Sequence, residues 1–103
     1  GRIVNIGSSS AYNGFKNSTA YCSSKHGLLG FSRALFSELK DNNVRVYAIS
    51  PGSTQTKMGK LSKDQKYETF LKPEEIAEYV VFVINFDKQL ISEEIRLNRM
   101  QMK

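Results

Sequence analysis

Ser18-Thr19-Ala20-Tyr21-Cys22-Ser23-Ser24-Lys25-His26-Gly27 opens a helix that the sequence carries to about Asp41. Ser18 or Thr19 suits its amino-terminal cap, and Tyr21 and Lys25, four apart, share one helical face. Further along, Leu28, Phe31, Leu35 and Leu39, with Leu29 and Ala34 beside them, repeat at helical spacing and predict a buried stripe. The first turns carry small residues instead: Ala20, Ser23, Ser24, Gly27 and Gly30. A glycine inside a helix costs about 1 kcal/mol, so two of them imply close approach by a sheet, a ligand or another helix.

On the amino-terminal side, Arg2-Ile3-Val4-Asn5-Ile6 is a short β-branched run stopped by Gly7, which predicts a buried strand, followed by Ser8, Ser9 and Ser10. Ala11 to Ser18 reads as a loop. On the other side, Asp41-Asn42-Asn43 ends the helix, Val44 to Ile49 predicts a second strand, and Pro51-Gly52 stops it. Strand, helix, strand over this length describes a parallel pair, right-handed by the general rule. Ser53 to Lys72 is polar, with helix expected between Lys60 and Phe70, and reads as an insertion over the strand ends. Pro73, Glu74 and Glu75 suit the start of another helix, apolar through Ile76, Ala77, Val80, Val81, Phe82 and Ile84 to about Phe86. Glu93 to Asn98 predicts a third strand. The expected fold is therefore α/β, the second half of a doubly wound parallel sheet with about three strands and three helices, in one domain spanning residues 1–103 with a lid at about 53–72.

A phenol beside an ammonium can transfer protons. Free tyrosine ionises near pKa ~10, and exchange at neutral pH asks for a fall of about three units, or about 4 kcal/mol. A cation ~4 Å away in a partly screened site supplies roughly that amount. Spacing alone is weak support, because with five Tyr and ten Lys in the chain random placement gives about half of one such pair. Tyr12 and Lys16 have the same spacing, but Asn13 and Gly14 between them predict a turn rather than a shared helical face.

Composition narrows the function classes. The net charge of +5 and pI near 9.4 raise the question of an anionic partner, yet Lys57, Lys60, Lys63 and Lys66 form the only regular basic series, and it suits a solvated helix face. One cysteine, Cys22, rules out an internal disulfide framework and fits a reducing, cytoplasmic setting, with Cys22 packed in its helix. The longest apolar run, Tyr79 to Ile84, is far short of the roughly 18 residues that span a membrane. The amino terminus has no signal-peptide pattern, and the absence of Met at position 1 suggests that Gly1 is not a natural start. His26 has no second ligand at zinc spacing, so no metal site is expected.

In this order and spacing, Gly1-Arg2-Ile3-Val4-Asn5-Ile6-Gly7-Ser8, Tyr21-Cys22-Ser23-Ser24-Lys25 with His26-Gly27, Val44-Arg45-Val46, Pro51-Gly52 and Thr56 resemble the carboxyl-terminal half of the short-chain dehydrogenase/reductase family. The resemblance implies a Rossmann-like fold and an NAD- or NADP-dependent oxidoreductase that interconverts a small alcohol and a carbonyl compound. It assigns Tyr21 as the general acid/base, Lys25 as the residue that activates the phenol and bonds the nicotinamide ribose, and Ser8 as the hydroxyl that holds the substrate oxygen, with Ser10 open as a helper. Pro51, Gly52, Thr54 and Thr56 would surround the nicotinamide, and backbone groups of Asn5 and Ile6 would line its floor. The family also implies a homo-oligomer paired through the helix starting near Thr19, where Phe31, Phe36 and the two glycines serve equally well against the sheet.

The departures are informative. The sequence contains no Gly-x-Gly, so the phosphate-binding turn of the family is missing, as is its upstream asparagine. The chain alone is therefore expected to bind cofactor poorly and to be inactive or nearly so. Ile91 to Leu97 replaces the Asp-Gly-Gly pattern of acyl-carrier-protein reductases, which leaves the substrate open. Two other readings compete. Gly7-Ser8-Ser9-Ser10-Ala11 resembles a hydrolase nucleophile elbow centred on Ser9, but a Gly/Asn loop follows it, and no acid stands between it and His26. A basic interaction or nucleic-acid-binding module would use the positive charge and leave the Ser, Tyr and Lys constellation idle.

Overall fold

The β-branched run Arg2–Ile6 (β1) and the run Arg45–Pro51 (β2) pair in parallel, with Ile3 opposite Val46 and Asn5 opposite Ala48. In this computed structural model, which describes residues 1–56 and 66–100, a third parallel strand, Glu94–Leu97 (β3), adds to the other side of β2, giving the order β1-β2-β3. Between them lie two α-helices, Thr19–Leu39 (α1) and Pro73–Asn85 (α2). The expected α/β sheet is thus present, with two α-helices among the described residues where about three were expected. The helix expected between Lys60 and Phe70 lies mostly outside the described residues, as does much of the expected lid, and Tyr67–Thr69 is a single 3₁₀ turn.

Alternation along β2 sends its side chains to two cores. Ala48 packs with Leu29 of α1 and with Ala11, whereas Tyr47 and Ile49 pack with Ile95, Val4 and the Val80, Val83, Ile84 stripe of α2. The helices therefore cover opposite faces, which explains why the middle strand is buried from Val46 to Ser50. Because the sheet advances in one direction while its two crossovers lie on opposite faces, they have opposite hands. If the first obeys the right-handed rule, the second is an exception to it.

The stripe of α1 that meets the sheet differs from the one expected. Cys22, Leu29 and Ser32 are buried, while Phe31 is 56 % exposed and Ala34 is also exposed. Polarity misled here. The helix approaches the sheet over small side chains, and Ser32 fits that seam where the bulk of Phe31 is turned outward. The other end of the helix follows the sequence: a 3₁₀ turn at Lys40–Asn42 and a left-handed Asn43, φ 58°, release the chain into β2.

One strap crosses the α1 face. Glu94 of β3 accepts from Arg33 Nε at 2.6 Å and Nη2 at 2.9 Å, and from the Tyr12 hydroxyl at 3.1 Å. The Arg33 hydrogen bond, ahead of the opposing effect of burial, holds the Glu94 carboxyl below its ordinary value of 4.5. A lowered folded-state pKa means stability that is present above the unfolded value and lost as pH falls through the folded one. Urea midpoints taken from about pH 6 down to about pH 3 should therefore fall more steeply for the wild type than for Glu94→Gln, and parallel curves would contradict the strap. A second expectation concerns Gly7, whose missing Cβ would stand 2.9 Å from the buried, unpartnered Ser50 Oγ. Gly7→Ala should cost about 1–3 kcal/mol, and the added change Ser50→Ala should restore most of it in the same urea assay.

Candidate active site

Parallel strands joined by a helix force that helix to run back against them, so α1 begins at the edge where β1 and β2 end. At that edge the Gly7 N–H donates to Ile49 O at 2.8 Å, and Ser8 follows immediately. Ser8 caps the 3₁₀ turn Ser9–Ala11: the Ser10 N–H donates to Ser8 Oγ at 3.0 Å, and the Ala11 N–H donates to Ser8 O at 2.9 Å. The Ser10 amide occupies a lone pair of the hydroxyl and orients it, which leaves the hydroxyl proton to be given to another acceptor. The turn rests on α1 through Ala11 and Leu29.

Tyr21 and Lys25 lie in the first two turns of α1. The Tyr21 side chain is 45 % exposed, Lys25 is half-buried, and Lys25 Nζ lies 5.5 Å from the centre of the Tyr21 ring. The i, i+4 pair therefore shares a face, with the cation over the phenol ring. Tyr12, at the carboxyl-terminal cap of the 3₁₀ turn, is engaged elsewhere, on Glu94.

The remaining residues expected at the site fall along the same edge. Ile6 ends β1 with 49 % of its surface exposed, and Pro51 ends β2. The Gly52 N–H donates to Leu97 O at 2.9 Å, and the Thr54 hydroxyl donates to Gly52 O at 3.0 Å. The Gln55 N–H donates to Leu71 O at 2.8 Å and the Leu71 N–H to Ser53 O at 2.9 Å, and Thr56 is exposed. Asn5 stands one residue back from the edge, on the α1 face, and its Nδ2 is buried with no hydrogen-bond partner. Ser10 is buried, and its amide donates to Ser8 Oγ.

The hydrolase constellation is not assembled. His26 is exposed on α1, and its Nδ1 lies 2.8 Å from the Cys22 carbonyl, an acceptor that fixes Nδ1 as the protonated nitrogen. Among the described residues no group of three His, Cys, Asp or Glu side chains could hold a metal ion, and no helix is long and apolar enough to cross a membrane. The cavity lined by Phe36, Lys40, Asn43 and Arg45 lies at the opposite edge of the sheet, around the end of α1, and so is separate from this site.

Comparison with known proteins bears on the family and the fold. Carbonyl reductase family member 4 of Xenopus laevis is 38 % identical over 90 residues, which is 82 % of this chain and 38 % of that protein. The 3-oxoacyl-[acyl-carrier-protein] reductase FabG of Aquifex aeolicus is 40 % identical over 92 residues, 81 % of this chain and 37 % of that one. Among solved structures, 4-hydroxyisoleucine dehydrogenase complexed with NADH superposes with a TM-score of 0.79 at 29 % identity, covering 96 % of this chain and 45 % of that one. ElxO with NADP bound gives 0.79 at 25 % identity, covering 95 % and 45 %. The chain thus spans about two fifths of the length of the curated relatives it matches. The short chain dehydrogenase family model matches residues 1–67, and the chain belongs to that family.

Proposed function

We propose that this chain is the proton-transfer and nicotinamide-facing part of an NAD(P)-dependent oxidoreductase acting on a small alcohol or carbonyl compound. The observation that carries the reading is the placement of an oriented serine hydroxyl and a Tyr/Lys face at the same carboxyl edge of a parallel sheet. Ser8 donates its hydroxyl proton to the substrate oxygen and holds it in place. Tyr21 gives its phenolic proton to that oxygen in reduction and takes one back in oxidation. Lys25 keeps a positive charge beside the phenol while the proton moves.

The edge suits a nicotinamide. Exposed Ile6 and half-buried Pro51 offer an apolar floor and wall, and Thr54 Oγ1, having spent its proton on Gly52 O, keeps lone pairs for a carboxamide N–H. Backbone groups of Asn5 and Ile6, with Gly52 and Thr56, would complete the cradle, and Lys25 would also reach the ribose. The group, when bound, supplies or accepts the hydride. The absence of a Gly-x-Gly turn leaves no phosphate cradle in this sequence, so the isolated chain binds NAD(P)H weakly and turns over little. Relatives named as carbonyl and 3-oxoacyl reductases favour carbonyl reduction as the direction. Phe31, exposed on α1, and Gly27 and Gly30, over which a Cβ would meet nothing, suit pairing of two copies through that helix.

With this chain by itself, NAD(P)H fluorescence should show no saturable enhancement at micromolar cofactor, and a clear saturation curve would contradict the half-site reading. A chimera carrying the amino-terminal portion of the Aquifex aeolicus reductase ahead of Gly1 should consume NAD(P)H with a panel of small ketones and aldehydes. In it, Tyr21→Phe should lower kcat by about 10²-fold or more, the usual worth of general acid catalysis, and retention of activity within about threefold would remove Tyr21 from the chemistry.

A further inference from the structure

The Ser8 turn is fragile on its own. Ser9–Ala11 is one turn of 3₁₀ helix, a geometry with poor hydrogen bonds, held by β1 at its near end and by the packing of Ala11 on Leu29 and Ala48. At its far end stands Tyr12. The Tyr12 N–H donates to Ser9 O at 3.1 Å, its ring packs beside the Ala11, Leu29, Ala48 cluster and under the Arg96 guanidinium at 4.4 Å, and its hydroxyl donates to Glu94 Oε1 at 3.1 Å. The same carboxylate is gripped by Arg33, about three turns along α1 from Tyr21.

We propose that Tyr12 is a positioning residue, whose hydroxyl, held by the Glu94–Arg33 pair, fixes the Ser8 turn relative to the helix that carries Tyr21 and Lys25. Glu94 sits on β3, two strands away from Ser8, so a single carboxylate gauges both elements: the turn through the phenol, the helix through the guanidinium. Burial, then the bond to Glu94, pushes the Tyr12 phenol above its ordinary 10.0, so it remains a donor throughout the physiological range. Arg96 covers the ring. Released from Glu94, the far end of the turn keeps only its packing of Ala11 and the Tyr12 ring against Leu29 and Ala48, and its loosening would draw the Ser10 N–H away from Ser8 Oγ and leave the serine hydroxyl less well oriented.

The proposal rests on the reading of Ser8 as the hydroxyl that meets substrate, but its test uses neither substrate nor cofactor. Amide hydrogen exchange is followed residue by residue by NMR on this chain. In Tyr12→Phe the Ser10 amide should exchange about tenfold faster, the effect of losing a hydrogen bond to a charged acceptor, while amides of β2 and α2 change by less than about twofold. Glu94→Ala should reproduce this and stands in if Tyr12→Phe is insoluble. Glu94→Gln, which keeps an oxygen for the phenol, should stay within about threefold of wild type at Ser10. An unchanged Ser10 amide in Tyr12→Phe, an equal acceleration everywhere, or a Gln variant as fast as the Ala variant overturns the proposal. Failure of the Ser8 and Tyr21 reading itself would appear elsewhere, as turnover indifferent to Tyr21→Phe.

Discussion

The parallel pairing of β1 with β2 is the constraint on which the rest depends. Two parallel neighbours cannot be joined by a hairpin, so the chain must cross over the sheet and return, and here the crossover is α1. That requirement alone brings the first turns of the helix to the edge where Ser8 leaves β1 and Gly52 leaves β2. Topology, before any particular contact, brings residues far apart in sequence to one edge of the sheet.

Much of this was legible in the sequence because it rests on local signals. β-branched runs, Pro73 at a helix start and Asn43 at a helix stop place the elements to within a residue or two. The Tyr21/Lys25 pair was legible for the same reason, since four residues on a helix fix a face. The buried stripe of α1 was not. Apolar periodicity favours Phe31, but the seam is set by how closely the backbone can approach, and Ser32 allows that approach where a phenylalanine would hold the helix away. Tyr12 was equally hidden. Its partner Glu94 lies 82 residues ahead, and no short-range pattern couples a turn tyrosine to an acid on the last strand.

Opposite placement of the two helices also shapes the surface. Each covers one face of a sheet only three strands wide, and their outer sides keep apolar groups in water, among them Phe31 on α1 and Val81 and Phe82 on α2. Ile6 remains half exposed at the open edge of β1. Such exposure is unusual for a parallel sheet, whose strands are normally enclosed. The chain spans about two fifths of the length of the curated relatives it matches.

The central claim is geometric: the Ser8 hydroxyl and the Tyr21 phenol address one substrate oxygen. The most direct measurement is the separation of Ser8 Oγ and Tyr21 Oη in a crystal structure of the chain. If both reach a common atom at hydrogen-bond distance, about 3 Å each, the two oxygens lie within about 6 Å of one another. Oxygens found on opposite faces of the sheet would contradict the account and remove its oxidoreductase site.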